Sequence, residues 1–86
     1  MAVSKKVTIN NSTAIELAEG LKNVVIYAGS SFLIGGADLS QENGFLVPGA
    51  IVFPVPIGLA ALEKVYGMVI GSGADSDVSV LTFSTV

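Results

Sequence analysis

The chain has 86 residues, with no cysteine, no histidine and no arginine, and four lysines against seven acidic residues leave a net charge of −3. These absences exclude thiolate chemistry, imidazole general-base catalysis and the commonest transition-metal ligands, and the negative charge argues against phosphate-driven nucleic-acid binding. Only 13% of residues are charged and mean hydropathy is +0.75, against about 25% charged residues in ordinary soluble domains; a chain this small must hide apolar surface in a membrane or against partner chains.

The expected organisation is a single β domain over residues 1–86. Hydrophobic period two dominates. In the first segment Val3, Lys5, Val7 and Ile9 share one face, and Ser4, Lys6, Thr8 and Asn10 the other. This predicts a strand with a polar side. Residues Met1 to Asn11 are expected to act as an N-terminal arm or edge strand. Asn10 to Thr13 is a turn cluster. Ala14 to Leu21 is ambiguous. Thr13 and Glu16 have capping-box spacing and Gly20 suits a helix end, whereas Ile15 and Leu17 suit a short strand. An extended or irregular segment is favoured.

Asn23 to Ala28 is rich in β-branched and aromatic residues and predicts a central strand buried on both faces. Gly29-Ser30-Ser31 turns into a short strand at Phe32-Leu33-Ile34, which ends at Gly35-Gly36. Ala37 to Asn43 is a polar loop. Asn43-Gly44 signals a tight turn, since both residues tolerate positive φ. Phe45-Leu46-Val47 is the next strand, closed by Pro48-Gly49. Ala50 to Val55 is apolar and ends in prolines, as at a sheet edge or exit. Ile57 to Leu62 reads as one helical turn or a bulged crossing. Lys64 to Ile70 is a strand in which Gly67 marks a bulge or a close approach. After the loop Gly71 to Ser76, Asp77 to Ser84 alternates as a last strand, with Val78, Val80 and Thr82 on one face.

The uncharged stretch Asn43 to Leu62 is long enough to span a bilayer. It carries Pro48, Pro54 and Pro56, each costing a helix about 3 kcal/mol, so no transmembrane helix is expected. Lys5 and Lys6 are followed by the polar run Thr8 to Thr13, which does not suit a secretory leader. Six to eight short strands with turns every 8–12 residues or so predict an all-β fold, a small antiparallel β-sandwich or jelly-roll-like barrel.

No motif points to catalysis. Gly71-Ser72-Gly73 lacks the third glycine and the βαβ setting of a dinucleotide fingerprint. Asp75-Ser76-Asp77 lacks the twelfth-position carboxylate of an EF-hand loop. A looser calcium site with Asp38 or Glu42 is left open, against a solvated turn. Glu16, Glu19, Glu42 and Glu63 could in principle include a paired-carboxylate site, but such a site needs a deep cleft that a thin 86-residue sandwich rarely supplies. No metal, cofactor or enzyme activity is expected. The aromatic residues Tyr27, Phe32, Phe45, Phe53, Tyr66 and Phe83 lie in or beside strands, and most are expected in the core.

The order of segments carries a resemblance. Asn23-Val24-Val25-Ile26 is followed by Leu33-Ile34-Gly35-Gly36. Then come a polar loop with Asp38 and Ser40 closed by Asn43-Gly44-Phe45, Pro48-Gly49, Gly71-Ser72-Gly73 and Val78-Ser79-Val80-Leu81. This pattern, from about Asn23 to Phe83, resembles a group of small virion proteins of tailed bacteriophages. Two places depart from it. Ala28-Gly29-Ser30 stands where the pattern has an Asn-containing turn, and Pro54-Val55-Pro56 is richer in proline.

The resemblance implies a non-enzymatic capsid decoration or cement protein. It would be a homotrimer on the outer surface of the capsid that bridges subunits of the major capsid protein shell. A head–tail or fibre-attachment component is the alternative, as is a carbohydrate- or receptor-binding tip formed by the loops Asp38–Asn43 and Gly71–Asp77. No nucleic-acid or membrane partner is expected. The expected shell contact is Val3, Lys5, Lys6, Val7 and Ile9. The expected oligomer contact is Phe45, Val47, Phe53, Ile57 and Leu59.

Overall fold

A computed structural model describes residues 2–20, 22–49, 55–59 and 63–84. The chain forms eight strands: β1 Ala2–Ile9, β2 Ile15–Glu19, β3 Lys22–Ala28, β4 Phe32–Gly35, β5 Phe45–Val47, β6 Val55–Leu59, β7 Lys64–Val69 and β8 Ser76–Ser84. There is no helix among the described residues, and so none long and apolar enough to cross a membrane.

Two four-stranded sheets pack face to face. Sheet A has the order β1-β8-β3-β6 and sheet B the order β2-β7-β4-β5. Every pair is antiparallel. The pairings nest: β1 with β8, β2 with β7, β3 with β6, β4 with β5. The chain is thus one long hairpin folded over on itself, the winding of an eight-stranded jelly roll.

Alternation places the core. Val24, Ile26 and Ala28 of β3 and Val78, Val80 and Thr82 of β8 point inward and are buried. They meet Phe32, Val65, Val69 and Val47 from sheet B and Ile9 from β1. Phe32 is the largest fully buried side chain. Gly67 is a close approach: a Cβ there would sit 3.0 Å from Leu17 and 3.3 Å from Ile9. The bulge lies opposite, in β2 between Glu16 and Ala18. It adds one residue to the inward set, so Leu17 and Ala18 are both buried.

A second, smaller cluster lies on the outer face of sheet B. Leu33 and Met68 point away from the main core, and the loop after β4 folds back to lay Leu39 on them. Gly44 serves this closure. A Cβ there would stand 2.7 Å from the Leu33 Cβ and 3.0 Å from Leu39. Gly71, at φ 61°, is the positive-φ glycine among the described residues. The Asn43-Gly44 signal is therefore a packing requirement at Gly44, not a left-handed turn.

One ambiguity is settled and two expectations change. Residues 15–19 are extended and form a short strand, because β7 offers a ladder that local sequence cannot reveal. The strand β3 is central but not buried on both faces: Asn23 and Tyr27 are exposed and Val25 is half-buried. Residues 57–59 extend β6 instead of forming a helical turn or bulge, paired in regular register with β3.

The core predicts a steep dependence on Phe32. Replacing it with Ala should cost about 3–5 kcal/mol, most or all of the stability of a domain this size. Ile26→Val should cost about 0.5–1.5 kcal/mol. Urea unfolding followed by circular dichroism measures both, and equal small losses would show that Phe32 does not anchor the sandwich.

Candidate interaction surfaces

The sandwich is thin, with extents of 38 × 27 × 17 Å. What it offers partners is therefore surface rather than a deep cleft. Among the described residues, no three acidic side chains gather as a metal site would require. Asp77 accepts a 2.7 Å hydrogen bond from the Thr8 hydroxyl, which ties β8 to β1.

Three loops are knitted together at one end. The Asn10 side chain accepts from the amides of Ser12 and Thr13, at 3.0 and 2.7 Å, and so builds the first turn. The Asn10 carbonyl accepts from the Val69 amide at 2.8 Å, and the Asn11 side chain donates to the Gly73 carbonyl at 3.1 Å. Gln41 joins all three. Its Nε2 donates to the Val69 carbonyl at 2.6 Å and the Asn11 carbonyl at 3.1 Å, and its Oε1 accepts from the Gly71 amide at 2.7 Å. Asn43 shapes the same loop by accepting from the Ser40 amide and donating to the Asp38 carbonyl. A shallow hollow of about 470 Å³ lies here, beside Asn11, Ser12, Ser40, Gln41 and Glu42.

The outer face of sheet A is different. No loop is described over it. Register sets Lys6, Ser79 and Tyr27 in one row and Ser4, Leu81 and Val25 in the next. The small serines leave a groove of about 500 Å³ between the larger side chains. Phe83 is exposed on the same face.

A third feature is the β5 edge. Phe45 is 68% exposed and Leu46 54% exposed, on a strand of three residues. Glu42, also exposed, lies three residues upstream.

The expected shell-contact residues fall into two groups. Val3, Lys5 and Lys6 are exposed on β1, an edge strand of sheet A paired along its length with β8. Val7 is partly buried against the main core, and Ile9 is 0% exposed. Ile9 is therefore a core residue and offers nothing to a partner. The reason is a gap between the sheets at the start of β1, where a hollow of about 160 Å³ is lined by Val3, Lys5, Glu16, Ala18, Glu19 and Thr82.

The expected oligomer-contact residues also divide. Phe45 is open to solvent, but Val47, two residues on, is 2% exposed and belongs to the core. Leu59 is partly buried against that core. Ile57 lies in β6 opposite Val24. Phe53 lies outside the described residues. Period-two reading missed Leu46, Tyr27, Leu81 and Gln41. The aromatic residues are less internal than expected: Phe32 is core, Tyr66 is half-buried, and Tyr27, Phe45 and Phe83 are exposed.

Lys64 pairs with Glu16 at 3.3 Å across β7 and β2. The hydrogen bond to Glu16, and then its charge, hold the Lys64 ammonium above the ordinary lysine pKa. The pair's contribution is full below the ordinary lysine value and is lost as pH rises through the raised one. It is a surface pair and stabilises little.

No protein-family model matches the chain, and neither a curated protein nor a solved structure is significantly similar to it.

Gln41 is the residue to probe at the loop end. Gln41→Ala removes one acceptor and two donated bonds from three loops. The melting temperature should fall, by the equivalent of about 1–3 kcal/mol, and the Gly71 amide should exchange faster in hydrogen-exchange measurements. Unchanged exchange at Gly71 would mean the three loops hold together without it.

Proposed function

We propose that the chain is a non-enzymatic structural protein of a virion. In this reading it is a homotrimer that decorates the outer surface of a phage head and bridges subunits of the major capsid protein shell. The observation that carries the reading is apolar surface left open, among the described residues, on two sides of a small jelly roll. Tyr27 and Phe83 are exposed on the outer face of sheet A, and Phe45 and Leu46 at the β5 edge. Only 13% of the residues are charged. Such a surface suits contact with protein, and a closed ring buries it.

The virion resemblance supplies the choice of partner. Its motifs coincide with structural requirements. Gly44 leaves room for Leu33 and Leu39, Gly49 packs against the Ser30–Ser31 backbone, and Gly73 leaves room for Val69. On a shell, three contacts on one trimer raise avidity through effective concentration even where each is weak. No cofactor, nucleic acid or membrane enters this reading.

The test is calorimetry of heads assembled from the cognate major capsid protein, with and without the purified chain. Decorated heads should melt at the higher temperature, and identical melting would contradict the stapling role.

The loop end favours a second reading, a carbohydrate- or receptor-binding tip. Gln41 brings the 38–43 and 70–73 loops together beside a hollow lined by Asn11, Ser12, Ser40 and Glu42 with Leu39 and Met68. If that tip works through calcium, a chelator should lower the melting temperature of the free chain. A plain decoration protein should melt unchanged.

A further inference from the structure

The groove on sheet A and the β5 edge are both apolar and are opposite in charge. The groove is walled by Val25, Tyr27 and Leu81, floored by Ser79, and rimmed by Lys6. The β5 edge presents Phe45, 68% exposed, with Leu46 on the opposite face of the strand. An aromatic side chain buries about 150–250 Å² when it is seated. The groove, of about 500 Å³, has room for one ring.

The charges match as well. Glu42 is exposed just upstream of Phe45, and Asp38 belongs to the same loop. There is no basic residue between positions 23 and 63. The protruding edge is therefore flanked by negative charge, and the groove by the positive Lys6.

A single chain cannot join the two. β1 packs against β2 and β7, so β5 lies at the far side of the sandwich from β1. The groove lies over β1, β8 and β3, on the outside of the other sheet. We propose that Phe45 of one copy seats in the Val25–Tyr27–Leu81 groove of a second copy, with Glu42 facing Lys6 across the contact.

The contact joins two different patches, so it is heterologous. Each added copy leaves one edge and one groove open until the ring closes. A symmetric alternative that sets two β5 edges together would oppose like-charged loops. Grooves set face to face would oppose Lys6 with Lys6. The inference rests on the trimer reading above and names the surfaces that would build that trimer.

The test uses the full chain and light scattering across a concentration series. The parent should run at about three times 8.7 kDa. Phe45→Asp spoils the edge and Tyr27→Glu spoils the groove. Both positions are exposed, and circular dichroism checks that each variant keeps its β spectrum. Each variant alone should be monomeric. Mixed, they should recover a species of twice the chain mass, because one supplies an intact groove and the other an intact edge. A second pair does not touch the apolar contact. Lys6→Glu should weaken assembly, and Glu42→Lys in the same chain should restore it.

A parent trimer that survives both Phe45→Asp and Tyr27→Glu would overturn the inference and leave the trimer reading standing. Monomeric variants with no recovery on mixing would show a symmetric contact and overturn it too. A parent that stays monomeric at every concentration would remove the second copy as occupant. The decoration reading would then rest on the melting of heads alone.

Discussion

The pairing of β1 with β8 is the constraint on which the rest of the molecule depends. It joins Ala2 to Phe83 and Ile9 to Ser76, segments from opposite ends of the described chain. Inside it nest β2 with β7, then β3 with β6, then β4 with β5. Each outer pair closes a longer loop than the one inside it, and loop closure costs entropy before the contacts return any. The innermost pair has only three rungs, Phe32 with Val47 to Ile34 with Phe45. The fold therefore draws its stability from non-local burial, the regime in which β proteins fold slowly.

The two outer faces of the sandwich meet this burden differently. Sheet B covers its own outer face. The loop after β4 lays Leu39 over Leu33 and Met68, and Gln41 and Asn43 hold it there by hydrogen bonds. Gly44 is what lets the loop lie so close. Sheet A has no such described cover, and Tyr27, Val25, Leu81 and Phe83 look outward. Asymmetry of this kind gives the chain one finished face and one that suits a partner. It also reconciles low charge with a folded core. Among the described residues the apolar excess is displayed on the outer face of sheet A and at the β5 edge, and also at Val3 and Ile70.

Edges follow the same logic. β2 is bulged and carries Glu16 and Glu19, β5 is three residues long, and β6 contains Pro56. Each is a device that discourages further strand pairing. β1 is long and regular, and its lysines at positions 5 and 6 provide the same protection by charge. The structure thus directs association toward side-chain contacts rather than added strands.

Much of this was legible in the residues. The period-two alternation of β8 grouped Val78, Val80 and Thr82 on one face, and the structure buries all three, because side chains alternate along any strand. The turn residues marked nearly every strand end. The expected contact surfaces were legible only in part. Phe45 and Val47 share a strand face, yet one is 68% and the other 2% exposed. Val3 and Ile9 share a face too, with the same outcome. Alternation tells which side of a strand a residue occupies, and not whether another sheet lies opposite it there.

By itself the sequence determined the all-β class, the boundaries of β1, β3, β4, β5, β7 and β8 to within a residue or two, and the absence of cysteine, histidine and arginine chemistry. These follow from local rules: period, turn propensity and composition. Only the tertiary structure decided the nested strand order, the bulge that buries Leu17 beside Ala18, the role of Gly44 as a spacer, and the burial of Ile9 and Val47. It alone set Ser79 between Lys6 and Tyr27 to open a groove, and left Phe45 and Leu46 uncovered on the far side. The reason is the same in each case. Those features depend on which segments, far apart in the chain, come to lie side by side, and local propensity carries no record of that.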